Sequence, residues 1–291
     1  MRETELTTNP HPPIDEQYRQ LVEKILREGK EKGDPQGVGD LSIHGYNFTF
    51  DLSTGQYPLL GLRDMRGSRK AMAEEIFWIM SGSTNVKDLH RENVHVWDIW
   101  ADATHEQFPN YTEGELGRVY GKQWREFNGG EPEPVDQLME AMRLLRENPD
   151  SRRIIISSWN PHDINQVFIA PCLPFLQFHH AQGDLGLTVI QRSADVPIGV
   201  PFNIAEYALF LRMTAHVNGM RPALLDHHLV DAHIYLDQVP HMEELIKRTA
   251  TPEPTLAITS KPDDIFGFKR RDFKLEGYQP HPKMDDIPVA L

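Results

Sequence analysis

The sequence is poor in cysteine: among its 291 residues, only Cys172 carries a thiol. A lone cysteine cannot close a disulfide within the chain, which excludes a disulfide-stabilised secreted scaffold. The longest apolar runs, such as residues 207–211, are far too short to cross a bilayer. Residues 1–13 lack the basic, apolar and small-residue regions of a signal peptide. We therefore expect a cytoplasmic protein with no membrane partner.

The chain also lacks an excess of positive charge. It carries 30 lysines and arginines against 43 aspartates and glutamates, a net charge of −13. Such a surface repels nucleic acids, so no nucleic-acid partner is expected. The sequence contains no glycine-rich dinucleotide fingerprint and no phosphate-binding loop motif. The His-x-Tyr spacing of His233 and Tyr235 is not a metal signature, and we expect no bound metal.

Periodic patterns predict a fold that mixes helices and strands. Helical spacing of apolar residues covers residues 14–31, 69–80, 135–147 and 204–217. Strand patterns cover residues 41–52, 153–158, 175–178, 185–192, 256–258 and 268–275. Residues 98–130, rich in aromatics and glycine, predict irregular structure. We predict one α+β domain over residues 14–291, with helices covering a sheet, preceded by a flexible arm at residues 1–13.

The densest group of polar residues lies at 191–203, where a strand is predicted to end and a loop to lead into a helix. Such a junction can present backbone and side-chain donors to an anion. The Arg192 guanidinium matches a phosphate, and the Ser193 hydroxyl lies beside it. The same residues are also compatible with a plain turn in which Arg192 pairs with Asp195.

Three further segments have both a structural and a functional interpretation. Arg152 and Arg153 could bind phosphate or could be a solvated strand entry. Cys172 lies between two prolines that fix the local backbone, but a lone cysteine is more often an inert buried residue. Arginines close to it would lower the pKa of its thiol. On a strand, His233 and Tyr235 would share one face, which would be either solvated or the wall of a polar pocket.

Taken together, these segments resemble the thymidylate synthase family, in collinear order from about Glu16 to Leu291. The motifs that carry the resemblance are Gly117-Arg118-Val119-Tyr120-Gly121-Lys122-Gln123-Trp124-Arg125, Ser151-Arg152-Arg153, Pro171-Cys172, Gln191-Arg192-Ser193, Gly199-Val200-Pro201-Phe202-Asn203-Ile204, Asp231-Ala232-His233-Ile234-Tyr235 and Pro288-Val289-Ala290-Leu291. The resemblance implies a mixed sheet of the thymidylate synthase-like type. It also implies deoxyuridylate (dUMP) as substrate, 5,10-methylenetetrahydrofolate as co-substrate, and a homodimer.

The resemblance further implies a role for each site residue. Cys172 would attack C6 of the pyrimidine and make C5 a carbon nucleophile. Arg192 and Ser193 would hold the phosphate, which Arg152 and Arg153 would reach from the other subunit. The remaining implied substrate-binding residues are Gln191, His233 and Tyr235, the remaining catalytic residues are Glu75, Tyr120, Asp195 and Asn203, and the folate-binding residues are Val96, Trp97, Ile198, Gly199, Phe202 and Ala290.

By the same resemblance, Asn203 would read the base, because a carboxamide can accept from N3–H and donate to O4 of uracil. Glu75 would move protons through water. His233 and Tyr235 would hold the sugar hydroxyl, and Tyr120 would lie close to the thiol.

Three positions depart from the family pattern. Pro35 stands in the early loop where a phosphate-binding arginine is usual, and Lys32, Arg63 or Arg66 could substitute for it. Leu173 follows the cysteine where histidine is usual, which makes that side of the pocket drier. Asp237-Gln238 replaces the usual Asn-His pair.

These departures bear on the product. Hydride from the folate gives a methyl group, whereas water gives the hydroxymethyl product of the related nucleotide hydroxymethylases. Asn203, Trp97, Trp100 and the tail 288–291 favour thymidylate synthesis. A third hypothesis is that the protein is a nucleotide-binding relative of the family that does not turn over its ligand.

Overall fold

A mixed β-sheet organises the fold. The computed structural model describes residues 11–33, 37–128, 133–284 and 286–289. Most of the predicted arm, Pro35 and Ala290 therefore lie outside the described residues. Within the described part, no helix is long and apolar enough to span a membrane.

The sheet has seven strands among the described residues. They are β1 (Lys30–Lys32), β2 (Asp40–Asp51), β3 (Ile155–Ser157), β4 (Phe175–Ala181), β5 (Asp184–Gln191), β6 (Ala194–Asp195) and β7 (Arg221–Tyr235). Their order is β1-β2-β7-β5-β4-β3, and β6 pairs with β7. β7 runs parallel to β5 and β6, and the other pairs are antiparallel. The sheet is therefore mixed, as predicted. A separate antiparallel pair joins β8 (Thr255–Ile258) to β9 (Phe273–Glu276).

Eight α-helices lie in the described part of the chain. They are α1 (Ile14–Glu28), α2 (Ser68–Ser81), α3 (Val86–His90), α4 (Asp98–Gln107), α5 (Tyr120–Arg125), α6 (Gln137–Glu147), α7 (Gly199–Val217) and α8 (Val239–Leu245). α7 is buried on nearly all sides, since apolar residues occupy most of its 19 positions. It packs against β7, β5 and α2.

The helices cover one face of the sheet in the described structure. Along β5, Leu185, Leu187 and Val189 are buried, while the alternate residues Thr188 and Ile190 are partly exposed. This is the period of two expected for a sheet with one covered face. The chain is thus an α+β domain with a mixed sheet covered by helices, as the sequence predicted.

Two local predictions are wrong. Residues 98–130 were expected to be irregular but contain α4 and α5. α5 is stabilised by tertiary packing on α2 that no local pattern reveals: a Cβ on Gly121 would lie 2.8 Å from the carbonyl oxygens of Ile79 and Ser83. The strand predicted at 268–275 begins only at Phe273, because the Asp272 carboxylate accepts from the Lys269 N–H and closes a turn there.

Candidate active site

One large cavity, of about 1010 Å³, lies where β5, β6 and β7 end and α2, α5 and α7 meet. The volume is at the upper end of the range typical for small-molecule sites. Fifteen of the residues singled out from the sequence line it: Glu75, Val96, Trp97, Tyr120, Cys172, Gln191, Arg192, Ser193, Asp195, Ile198, Gly199, Phe202, Asn203, His233 and Tyr235. Segments up to about 160 residues apart in sequence therefore converge on one pocket.

Cys172 is held from both sides by backbone interactions. Its N–H donates to the Tyr120 hydroxyl at 2.6 Å, and its carbonyl accepts from the Arg192 N–H at 2.8 Å. The Arg192 guanidinium donates to the carbonyls of Ala170 and Pro171 at 2.7 and 2.9 Å and lies over the Trp159 ring. The thiol thus lies beside a fixed cation, and the hydroxyl of Tyr120 lies next to its backbone.

The electrostatics of this thiol differ from expectation. Burial raises the pKa of Cys172, and this effect outweighs the lowering by Arg192 and by Tyr120. The prediction that neighbouring arginine would depress the thiol pKa gave the correct sign for Arg192 but neglected the larger cost of placing a thiolate in a buried site. With its pKa raised by burial, Cys172 is mainly a neutral thiol at neutral pH.

Glu75 projects from α2 into the pocket and accepts a hydrogen bond from the Trp97 indole at 3.0 Å. It is only 7% exposed. Burial raises its pKa from 4.5 to about 7, and the Trp97 hydrogen bond opposes part of that rise. A carboxyl with a pKa near neutrality can both take up and release a proton under working conditions.

A second buried carboxyl, Glu206, was not identified from the sequence. It lines the same pocket from α7 and is 1% exposed. Burial and the nearby Glu75 carboxyl raise its pKa well above the usual range, while a hydrogen bond from the Asn203 side chain lowers it. The acidic and basic side chains of α7 are those of Glu206, Arg212 and His216, and the interruption of an apolar helix by Glu206 was the available signal.

Asn203 lies one turn from Glu206 and belongs to a chain of side-chain hydrogen bonds. The Gln191 amide nitrogen donates to Asn203 Oδ1 at 3.3 Å and to the Ser193 carbonyl at 3.2 Å. His227 Nε2 lies 2.8 Å from Gln191 Oε1. Burial lowers the pKa of His227 to about 3, so this histidine is neutral and donates through Nε2.

At the end of β7, His233 and Tyr235 point into the pocket from the same strand face, with ring centroids 5.3 Å apart. Asp231 accepts from the Ser42 hydroxyl at 2.7 Å and forms an ion pair with Lys32. A hydrogen bond from His233, together with those from Lys32 and Ser42, holds the pKa of the Asp231 carboxyl well below its usual range. This wall of the pocket is polar, not solvated surface.

Asp195 connects the pocket to the C-terminal segment. Its Oδ1 accepts from the Ile198 N–H at 3.2 Å and from the Gln238 amide at 3.5 Å. Gln238 also donates to the Pro288 carbonyl at 2.8 Å, and Val289 lines the cavity. Burial raises the pKa of Asp195 to about 6 despite the opposing effect of His233. Gln238, one of the departures from the family pattern, thus binds the tail in the described structure.

Two of the singled-out residues are not brought to this pocket. Arg152 and Arg153 are exposed and do not line it. Ala290 lies outside the described residues.

The possible substitutes for the absent arginine are also separated by the structure. Arg66 is paired with Asp64, and Arg63 donates to the Pro197 carbonyl. Of the three, only Lys32 lines the cavity. Among these three side chains, Lys32 is therefore the one positioned to contact a ligand.

Among the described residues, one group of histidines and carboxylates has converging ligand atoms: His90, His95 and Asp98. It is not part of the cavity lining, and its members hydrogen-bond one another, with Asp98 2.7 Å from His90 and 2.8 Å from His95. The pocket is thus built around a thiol, carboxyls, amides and an arginine.

Comparison with known protein families gives one match that covers nearly the whole chain. Residues 16–290 match the family described as thymidylate synthase. The matched range contains every residue that lines the cavity.

Proposed function

The chain belongs to the thymidylate synthase family, and we propose that it transfers a one-carbon unit from 5,10-methylenetetrahydrofolate to C5 of deoxyuridylate, giving thymidylate and dihydrofolate. The observation that carries this proposal is the placement of Cys172, Arg192 and Asn203 in one cavity. These three supply a nucleophile, an anion-binding group and a base-reading amide. A nucleotide presents an electrophilic ring carbon, a phosphate and a base edge, and so needs all three.

The nucleotide would lie with its phosphate at Arg192 and Ser193 and its sugar at His233 and Tyr235. In this pose the thiolate of Cys172 forms a bond to C6, and the C5–C6 double-bond electrons move to C5 and O4. C5 is then the nucleophile for the one-carbon unit. Loss of the C5 proton would then accompany cleavage of the bond between the one-carbon unit and the folate nitrogen, which leaves an exocyclic methylene at C5. Hydride from the folate would add to this methylene, so that the C5–C6 double bond re-forms and the thiolate of Cys172 is expelled. Because burial raises the pKa of Cys172, formation of its thiolate depends on Arg192 and on groups that the ligand brings.

Glu75 is suited to the proton transfers of this reaction. Its pKa of about 7 allows it to accept and return a proton near neutral pH. The neighbouring indole of Trp97 keeps its carboxyl oriented into the cavity. We assign it to proton movement through water at C5 and O4.

The folate would lie on the apolar side of the cavity. Val96, Trp97, Ile198, Phe202 and Val289 provide an apolar wall there that suits a fused aromatic ring system. When bound, the folate supplies the one-carbon unit and then a hydride. Asp195, with its raised pKa of about 6, lies on the same side and is a hydrogen-bonding partner for the ring.

The position of the tail supports hydride rather than water as the group that completes the reaction. Gln238 donates to the Pro288 carbonyl, and Val289 lines the cavity. Leu173, where histidine is usual, is buried and lines the same pocket. Both features reduce the access of water to C5, and water is the reactant that the hydroxymethyl product requires.

A homodimer would explain why Arg152 and Arg153 lie away from the cavity of their own chain. Both are exposed in the single chain, and β7 carries exposed apolar residues, Leu224 and Val230, on the sheet face that the helices leave open. Packing of two such faces around a twofold axis would bury these residues and bring each arginine pair to the partner's phosphate site.

Product analysis tests the proposal. The protein is incubated with deoxyuridylate and 5,10-methylenetetrahydrofolate, and the products are identified by mass. Dihydrofolate with a methylated base is the expected result. Tetrahydrofolate with a hydroxymethyl base would instead show that the protein is a nucleotide hydroxymethylase. If neither product forms, the protein is a nucleotide-binding relative without turnover. A Cys172→Ala variant serves as control, and turnover by that variant would refute the covalent mechanism.

A further inference from the structure

The carboxyl of Glu206 has no role in the chemistry described so far. It lines the cavity, is 1% exposed, and its Oε1 has no hydrogen-bond partner among the residues that the structure describes. A buried carboxyl without full hydrogen bonding costs stability, so its presence in an otherwise apolar helix requires a reason. Asn203 lies one turn earlier on the same helix, lines the same cavity and lowers the pKa of the Glu206 carboxyl.

A carboxamide at this position can read either of two bases. With Oδ1 toward N3 and Nδ2 toward the group at C4, it matches N3–H and O4 of uracil. Rotated by a half turn, the same amide donates to N3 and accepts from the amine of cytosine. Asparagine therefore distinguishes the two bases only if the amide is held in one orientation.

The orientation of Asn203 is determined from one side by Gln191. A backbone carbonyl can only accept, so the Gln191 group that approaches Ser193 O at 3.2 Å is the NH₂. That same nitrogen lies 3.3 Å from Asn203, where it must meet Oδ1. Neutral His227 donates to Gln191 Oε1 at 2.8 Å and prevents the Gln191 amide from rotating.

Glu206 completes this arrangement from the other side. Its carboxyl lies one turn from Asn203 on α7, at the spacing where two helical side chains meet, and can accept one N–H of the Asn203 amide. One lone pair on Oδ1 and one N–H on Nδ2 then remain free for a ligand. We propose that Glu206 is a positioning residue that, together with Gln191, locks the Asn203 carboxamide in the orientation that selects uracil over cytosine. This inference rests on the proposed nucleotide substrate.

The first experiment needs no ligand. In protein labelled with ¹⁵N at asparagine, the side-chain NH₂ signals of Asn203 are assigned by comparison with Asn203→Ala. In the wild type, the hydrogen bond to Glu206 should move the resonance of one of the two Asn203 NH₂ protons downfield. The same bond should slow the exchange of that proton with water. Glu206→Leu should remove this signature and Glu206→Gln, which retains an acceptor oxygen, should keep it. An unchanged Asn203 signal in Glu206→Leu would overturn the proposal.

The second experiment measures selectivity. Dissociation constants for deoxyuridylate and deoxycytidylate are determined by calorimetry for the wild type and both variants. Glu206→Leu should lower the preference for the uracil nucleotide by about tenfold or more, whereas Glu206→Gln should stay within about threefold of wild type. If Glu206→Leu does not fold, as judged by thermal denaturation, Glu206→Ala replaces it in both experiments.

The outcomes separate the two proposals. Binding of neither nucleotide by the wild type would refute the proposed function, while the amide signals would still decide whether Glu206 orients Asn203. Tight uracil binding with an unchanged preference in Glu206→Leu would refute the positioning role and leave the proposed function intact.

Discussion

Replacement of Glu75 by glutamine should stabilise the folded protein at alkaline pH while it removes activity. Glutamine has nearly the same shape and retains an oxygen that can accept from the Trp97 indole, as Glu75 does at 3.0 Å. The variant therefore removes the ionisation of a buried carboxyl and leaves its neighbours in place. An increase in stability together with a loss of turnover is the behaviour of a group kept for chemistry and not for folding.

The magnitude follows from the pKa of Glu75. In the folded protein it is raised from 4.5 to about 7. Between these two values the folded state binds a proton that the unfolded state has released, so the wild type loses stability as pH rises through this window. At about 1.36 kcal/mol per pH unit, the full loss is about 3 kcal/mol above neutrality and is nearly absent below about pH 4.5.

The assay is urea unfolding followed by tryptophan fluorescence, with wild type and Glu75→Gln at equal protein concentration across a pH series. The variant should exceed the wild type by about 3 kcal/mol near pH 8 and by about 1 kcal/mol near pH 5. In the same samples, kcat should fall by about a hundredfold or more, the usual contribution of a general acid or base.

Glu23→Gln is the matched control, since Glu23 is exposed on α1 and lies outside the cavity lining. Its unfolding free energy should follow the wild type at every pH. The reasoning is refuted if Glu75→Gln gives the same pH dependence as the wild type, or if it is destabilised near pH 8 while still folded.

Three further predictions concern the ligand. Lys32→Met should weaken binding of deoxyuridylate by about tenfold, measured by calorimetry, because it removes the cation that lines the cavity beside Asp231; an unchanged affinity would exclude Lys32 from the nucleotide site. Asn203→Asp should gain turnover of deoxycytidylate, measured by product mass, and an unchanged base preference would count against a base-reading role. Mixing inactive Cys172→Ala with an inactive Arg152→Ala variant should restore up to about a quarter of wild-type activity, because a mixed dimer has one complete site; no recovery after mixing would contradict a shared site.

The sequence predicts β2, β3, β4 and β5 because these strands follow a simple local pattern, but it assigns no strand over β1, β6 or the long central strand β7. The alternation of β5 and the apolar runs of β2 and β4 are local properties of the chain. α4 and α5 are missed because their stability comes from packing: α5 depends on the close approach of Gly121 to α2, which only the folded structure reveals.

Residue types also predict the contents of the pocket better than its electrostatics. Motif order was sufficient to group Cys172, Arg192 and Asn203. The pKa of the Cys172 thiol is raised because burial outweighs the nearby arginine, and this balance depends on solvent exposure that no motif encodes. Glu206 escaped notice for the same reason, since a single acidic residue in a helix is usually solvated, whereas this one faces the cavity.

The central claim is that Cys172 forms a covalent bond with a uracil nucleotide. Its most direct test is intact mass measurement after incubation with fluorodeoxyuridylate and methylenetetrahydrofolate under reducing conditions. Because the chain has only one cysteine, a thiol adduct can form at one position only. We predict a mass increase equal to the nucleotide plus the folate in the wild type and none in Cys172→Ala. An unmodified wild-type mass, or the same adduct on Cys172→Ala, would contradict the account.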